Sequence, residues 1–457
     1  MKKFFLLSLS LLLLVALPGC DSFVENADDP ITSASDEALN DPVQLPFATT
    51  VVFVEFAETN DQLTLAAALL SDQFRFGTNG DATFPTFRDL DNAVPQLDNN
   101  TVDGAFGALG QYRFLADRLI ERADVIAESG GFDGAPMSET EVRFNANLHG
   151  AIARYFYAAY FGLNPREGGG VIESGPFIPE ADMYDEARTK FETALNFVNF
   201  EASGAVPTYG ADAAARERLI NSFIARIEFN QGNYAEAVSF AANGLQQGDA
   251  PLLTLHNDQS TNEWWSQGGR GRVQVVATDG NTNANVVDPV VDVRSFIEIA
   301  NENPQELARI PLTGVTSDAG FVAIDSESAV EFAQDKYPER SSGIPVLKWQ
   351  ENYLMLAEAA ARGEDISGAA ANGFPGTALE LVNAVRGSHG IDPLGAVDVE
   401  TILAERDKEM FGEGMRLIDQ RRAPEIPWHL PETVGARQTW QYLPITQQER
   451  NDNPNFN

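Results

Sequence analysis

Residues 345–363 read PVLKWQENYLMLAEAAARG, and residues 375–390 read PGTALELVNAVRGSHG. Val346, Trp349, Tyr353, Leu356 and Ala360 recur at steps of three and four, which places them on one face of a helix. Gly363 follows as the expected left-handed stop. Thr377 and Glu380 have the spacing of a capping box, and Leu381, Val382 and Val385 give the second helix an inner face before Gly387. Two amphipathic helices joined by a short Gly-rich link make an αα-hairpin. Neither can bury its apolar face alone, so further hairpins are expected elsewhere in the chain.

They are present, with weak mutual likeness. The spacing predicts helices over 104–128, 141–161 and 183–198, the last with Ala187, Phe191 and Ala194 in a small–large–small rhythm. Residues 213–231 and 235–245 flank Gly232-Asn233-Tyr234, a turn resembling that of tetratricopeptide (TPR) repeats. Asn221, Glu228 and Ala241 stand where bulky residues are usual, so that unit is degenerate. Residues 51–56 read locally as a strand and 63–70 as helix, and 74–103 as a loop. Tyr155, Phe156 and Tyr160 are expected in the core.

Residues 345–389, together with the ending, resemble the SusD/RagB family of nutrient-binding outer-membrane lipoproteins. Glu351, Tyr353, Ala357, Glu358, Ala359, Asn383, Val385 and Arg386 fit one family motif, whereas Ser388 stands where a second Arg is usual. Residues 404–422, AERDKEMFGEGMRLIDQRR, fit another at Glu405, Arg406, Glu409, Glu413, Gly414, Arg416, Asp419 and Arg422. GAIARYFYAAYFG (150–162) and the close YLPITQQERNDNPNF resemble further family segments, with Thr446 in place of a Pro. The resemblance implies a mainly α, SusD-like fold: a TPR-like scaffold of about four helix pairs carrying an irregular insertion. It also implies a SusC-type TonB-dependent transporter as partner.

Residues 1–19 read as a lipoprotein signal peptide. Lys2 and Lys3 precede an apolar run too short to span a membrane comfortably, and Leu17-Pro18-Gly19 lead into Cys20, the only cysteine. Cys20 is the expected lipidation site, with an ordinary secretory signal as the competing reading. Residues 20–46 are polar and acidic, a lipid-anchored flexible tether. In the resembling family, acids after the lipidated Cys accompany export to the cell exterior, which Asp21, Glu25, Asp28 and Asp29 fit. The remaining divisions are an N-terminal helical region, 47–247, an irregular ligand-binding insertion, 248–344, and a C-terminal helical region with the family motifs, 345–457.

With 31 Lys+Arg against 67 Asp+Glu and a net charge of −36, nucleic acid is excluded as a natural partner. A lysine-poor, acid-rich surface is suited to high salt, where screening removes self-repulsion.

No catalytic set emerges. Glu405, Glu409 and Glu413 have i, i+4, i+8 spacing, so they are expected side by side on one helix face, held ionised by Arg406, Arg416, Arg421 and Arg422; this denies the raised pKa of a general acid. The four histidines lack ligand spacing, Gly168-Gly169-Gly170 reads as a turn, and Gly268-Gly269-Arg270-Gly271-Arg272 as a flexible loop. No metal ligand or cofactor is assigned.

The candidate binding residues are aromatics in polar loops. Trp264 and Trp265 offer flat faces for stacking on sugar rings, and Phe76, Phe84 and Phe87, with Asn79 and Arg88, occupy the early loop. The competing reading has one or both tryptophans plugging the join between insertion and helices. The family's glycan site draws on these two regions, which implies that they meet in space. The chain is thus expected to capture an oligosaccharide and not to be an enzyme. The alternatives are a TPR-like envelope adaptor for a protein partner and a glycosidase, which needs opposed carboxylates in a cleft.

Overall fold

The computed structural model describes residues 36–78, 84–278, 295–426, 428 and 432–456. Cys20, the signal and most of the tether lie outside these, as does Asn79. The first long helix, α1 (Leu45–Leu70), runs without a break through the stretch that reads locally as a strand. Its residues 63–70 are buried on all faces, and within 51–56 Val52, Phe53 and Phe56 face the core while Val54 is exposed, a helical pattern in which packing overrides β-branched propensity. The early loop contains a strand, β1 (Phe74–Phe76), and a short helix, α2 (Pro85–Asp91).

The frame continues through α3 (Asn100–Glu128), capped by Asn99, and α4 (Glu139–Tyr160), capped by Ser138. Tyr155, Phe156 and Tyr160 are buried in the core. Three strands follow, β2 (Phe161–Asn164), β3 (Glu167–Val171) and β4 (Phe177–Pro179). The Gly168–Gly170 run is therefore strand and not turn. The backbone of β3 lies so close to its neighbours that a Cβ at Gly169, where φ is +139°, would come within 2.1 Å of the Ile178 carbonyl oxygen. Next are α5 (Glu180–Leu195), α6 (Ala213–Asn230) and α7 (Tyr234–Ala241). Ala187, Phe191 and Ala194 are fully buried, and Phe191 stacks on Phe223 of α6 at 4.8 Å.

The insertion holds β5 (Leu252–Leu253), a π-helical turn at Trp264–Gly268, β6 (Val275–Ala277), α8 (Phe296–Glu302), and the strands β7 (Leu312–Val315), β8 (Phe321–Val322) and β9 (Glu331–Gln334). Strands β8, β7 and β9 form one antiparallel sheet, with a small core of its own in Val273, Val276, Val315 and Ala333.

The deciding hairpin comprises β10 (Pro345–Leu347), α9 (Trp349–Ala361), a short α10 (Ser367–Ala371) and α11 (Ala378–Ser388). Gly363 takes φ +103° after α9. Thr377 Oγ1 accepts from the Glu380 N–H, and the Glu380 carboxylate accepts from the Gly376 N–H, closing the cap one residue earlier than the standard box. Helix α9 packs on α11, α7 and the next helix, α12 (Val399–Glu409), which leads to α13 (Met415–Arg422). A small hairpin, β11 (Thr433–Val434) and β12 (Arg437–Gln438), follows. Strand β13 (Leu443–Pro444) then pairs in parallel with β2, and α14 (Gln447–Asp452) comes last. The family-like close is thus threaded into the sheet after α4.

Residues 404–422 form two helices, not one, because Gly412 and Gly414 take φ of +70° and +74° between them. Glu413 therefore leaves the face shared by Glu405 and Glu409. It rejoins them through cations from outside the motif: Lys348 Nζ lies 3.0 Å from Glu409 and 2.6 Å from Glu413, and Lys336 Nζ lies 2.7 Å from Glu413. Glu405 is held by Arg309, Arg386 and Lys408, while Arg406 and Arg422 serve Asp419 and Arg416 serves Asp72. Burial works against charge on Glu409, but Lys348, His389 and Lys336 outweigh it and hold its carboxyl far below the usual range. The acids of this motif are a buried ion network that ties the insertion to the last helices.

Candidate functional site

The early loop and the insertion do meet. Strand β1 pairs antiparallel with β6, Phe74 opposite Ala277 and Phe76 opposite Val275. Glu331 of β9 fastens the junction, accepting from Arg75 at 2.9 Å, from the Thr78 N–H at 2.8 Å and from its hydroxyl at 2.7 Å.

Beside this junction stands the π-helical turn. Asn262, fully buried, organises it: its carboxamide oxygen accepts the Trp265 N–H at 2.6 Å, and its NH₂ reaches the carbonyls of Glu339, Arg340 and Ser342 at 2.9, 3.2 and 3.1 Å. Each such bond contributes about 1 kcal/mol net, and an orphaned partner costs more. Asp61 of α1 anchors the same turn from below. It accepts the Glu263 N–H at 2.9 Å, and His256 Nε2 stands 3.3 Å away. Burial pushes the Asp61 carboxyl up. At 2% exposure it is sealed from any glycosidic bond, so it anchors the turn and does not face a substrate.

The residues singled out in the sequence separate cleanly. Trp264 is 0% exposed. Its indole lies 4.7 Å from the Phe74 ring and 6.3 Å from Tyr337, and its N–H donates to Thr64 at 3.0 Å. It plugs the join between insertion and frame and has no face for a ligand. Phe76, 7% exposed, and Phe87, 4% exposed, are likewise core. Phe84 is 39% exposed and leans on Phe87 at 5.2 Å, and Arg88 is exposed on α2. Trp265 is half-buried, with the Arg340 guanidinium 4.6 Å from its ring centre. The open candidates are thus Trp265, Phe84 and Arg88.

The Gly-Gly-Arg-Gly-Arg stretch is packed, which corrects the reading of it as a flexible loop. A Cβ at Gly269 would meet Gln334 Nε2 at 2.6 Å, and one at Gly271 would meet the Ser266 carbonyl oxygen at 2.4 Å. Val273, two residues on, sits at φ +54°, an unusual value for a β-branched residue. A π-turn, a strained valine and close-packed glycines together fix the Trp265 backbone, and strain of this kind gathers at ligand clamps.

Sequence reasoning missed Asn262, Arg340 and Arg272. An Arg in the mixed-charge stretch 335–340 carries no signal until the fold sets it over an indole.

Two clefts lie away from the Trp265 turn. One of about 580 Å³ on α6 and α7 is lined by Glu217, Arg218, Asn221, Asn243, Gln246 and neighbours, a polar set. Another, of about 460 Å³, lies between α8 and α12 and is rimmed by Glu302, Glu400, Asp407 and Glu425. Among the described residues, no helix is long and apolar enough to cross a membrane, and no group of His, Cys, Asp and Glu is arranged to hold a metal ion.

The SusD family model matches residues 329–457, which hold the motifs at 345–389 and 404–422 and the close of the chain quoted above. No curated protein matches the chain. Among solved structures, a SusD superfamily protein from Bacteroides thetaiotaomicron is 17% identical, with a TM-score of 0.62 over 91% of this chain and 98% of that one. Surface glycan-binding protein A from Bacteroides uniformis is 15% identical, TM-score 0.59, over 90% and 98%. Surface glycan-binding protein A from Bacteroides thetaiotaomicron, in complex with laminarihexaose, is 13% identical, TM-score 0.58, over 93% and 99%. The chain thus shares its fold with these solved SusD superfamily structures, and the family's sequence pattern covers residues 329–457.

Proposed function

We propose that this SusD-like chain is an outer-membrane lipoprotein, anchored through lipid on Cys20 and facing the cell exterior. It captures an oligosaccharide and delivers it to a SusC-type TonB-dependent transporter. The observation that carries the reading is the conjunction of the SusD-like frame with a rigid aromatic surface, Trp265, in the turn that packs beside β6 and β9. The glycan complex among structural neighbours supports the ligand class. Stacking on an indole with polar groups beside it is the chemistry that suits a sugar ring.

Capture needs no chemistry on the ligand, and the buried carboxylates of the C-terminal motif are committed to ion pairs. Incubation with a glycan library tests the reading. Binding without turnover supports capture, cleavage replaces it with a glycosidase, and silence favours an adaptor for a protein.

A further inference from the structure

The cations of this chain are nearly all spoken for. Among the described residues, every Lys and Arg side chain meets a carboxylate, carbonyl or amide oxygen except three: Arg88, Arg272 and Arg340. In a chain with 67 acidic and 31 basic residues, a guanidinium that finds no carboxylate is unexpected. Two of the three bracket the Trp265 turn. The Arg340 carbonyl accepts the Asn262 N–H at 3.0 Å on one side, and the Arg272 N–H donates to the Ser266 carbonyl at 2.7 Å on the other.

Resting on the capture reading above, we infer that the Trp265 surface selects anionic saccharides, those bearing uronate carboxylates or sulfate esters. Arg340 is the charge-reading group. The guanidinium of Arg340 lies over the indole of Trp265, and its N–H donors have no acceptor among the described residues. Arg presents a planar fork of donors that matches a carboxylate or sulfate edge in two parallel bonds. Stacking on a ring whose backbone is pinned by Asn262 and the packed glycines limits the freedom lost on binding. A solvated surface arginine in this chain has abundant acids to pair with. Arg340 stands where no carboxylate among the described residues bonds it, its neighbour Glu339 included, whereas Arg272 feels the charge of Glu263. The net negative charge repels a polyanion at long range. Over distances beyond about 8 Å that repulsion is screened at physiological salt, so the groups in contact decide.

The test is a glycan array of matched pairs: oligogalacturonides against their carboxyl-reduced forms, and sulfated oligosaccharides against desulfated ones. Calorimetry on the pairs that bind follows, using the whole lipid-free chain. The expected result is at least a tenfold preference for the anionic member. Arg340→Gln removes that preference while leaving the melting temperature unchanged, and Arg118→Gln, the same charge lost from the surface of α3, leaves the preference intact. The two sets of pairs distinguish carboxylate from sulfate. Binding confined to neutral glycans overturns the inference and leaves capture standing. Binding to no glycan of either kind overturns both.

Discussion

Trp264 and Trp265 are neighbours in sequence and opposites in the fold, which makes their separate truncation to alanine the sharpest test of the site. Trp264 is fully buried, its ring against Phe74 and its N–H on Thr64. Truncating a buried Trp to Ala costs about 3–5 kcal/mol, and here the Thr64 hydroxyl also loses its donor. At about 2 cal/mol/K per residue, a chain of this length has an unfolding entropy near 0.9 kcal/mol/K, so Trp264→Ala lowers the melting temperature by about 3–5 °C if the body melts as a unit. Trp265 is half-buried and its backbone is fixed by groups other than its ring. Trp265→Ala therefore leaves the melting temperature within about 1 °C. Loss of a Trp that anchors a ligand costs about 2 kcal/mol, roughly thirtyfold in Kd. Calorimetric melting and titration with a glycan that binds the wild type read both quantities on the same samples. Equal melting losses from the two variants, or unchanged affinity in Trp265→Ala, would refute the division into plug and platform.

Two further outcomes follow from the buried charges. Arg226 of α6 donates to Glu351 of α9 at 2.8 Å and to the Val346 carbonyl at 2.6 Å, with both charged side chains sealed from water; Glu351→Gln leaves that guanidinium without its counter-ion and lowers stability by about 3–5 kcal/mol in denaturant titration. His149 is buried among Phe53, Phe56 and Tyr112, and burial lowers its pKa to about 3, against 6.5 in the unfolded chain. The unfolded state therefore takes up the proton first, so stability is full above pH 6.5 and falls as the pH drops from there towards 3. His149→Gln should flatten that slope in melts between pH 7 and 4, and a His149 resonance, identified by its loss in His149→Gln, that titrates near 6.5 in the folded wild type would contradict the assignment.

The sequence by itself determined the parts of this protein that repeat a local rule. Helical spacing at 345–389, the Gly363 stop, the Thr377–Glu380 cap and the small–large–small rhythm of α5 each depend on residues a few positions apart, so the paired-helix frame was legible. Family-like motifs extended that to the SusD-like fold. It was only tertiary structure that decided which aromatic is core and which is surface. Trp264 and Trp265 have the same composition around them, and their fates differ because a π-turn pinned by Asn262 points one into Phe74 and leaves the other beside Arg340. The same holds for the carboxylates of 405–413, whose partners Arg309, Lys336, Lys348 and Arg386 come from distant stretches of chain, and for the run of glycines at 168–170, extended because β4 and Tyr442 press against it. Periodicity reports what a segment does with itself; burial and pairing depend on what arrives from elsewhere in the chain, and no spacing rule encodes that.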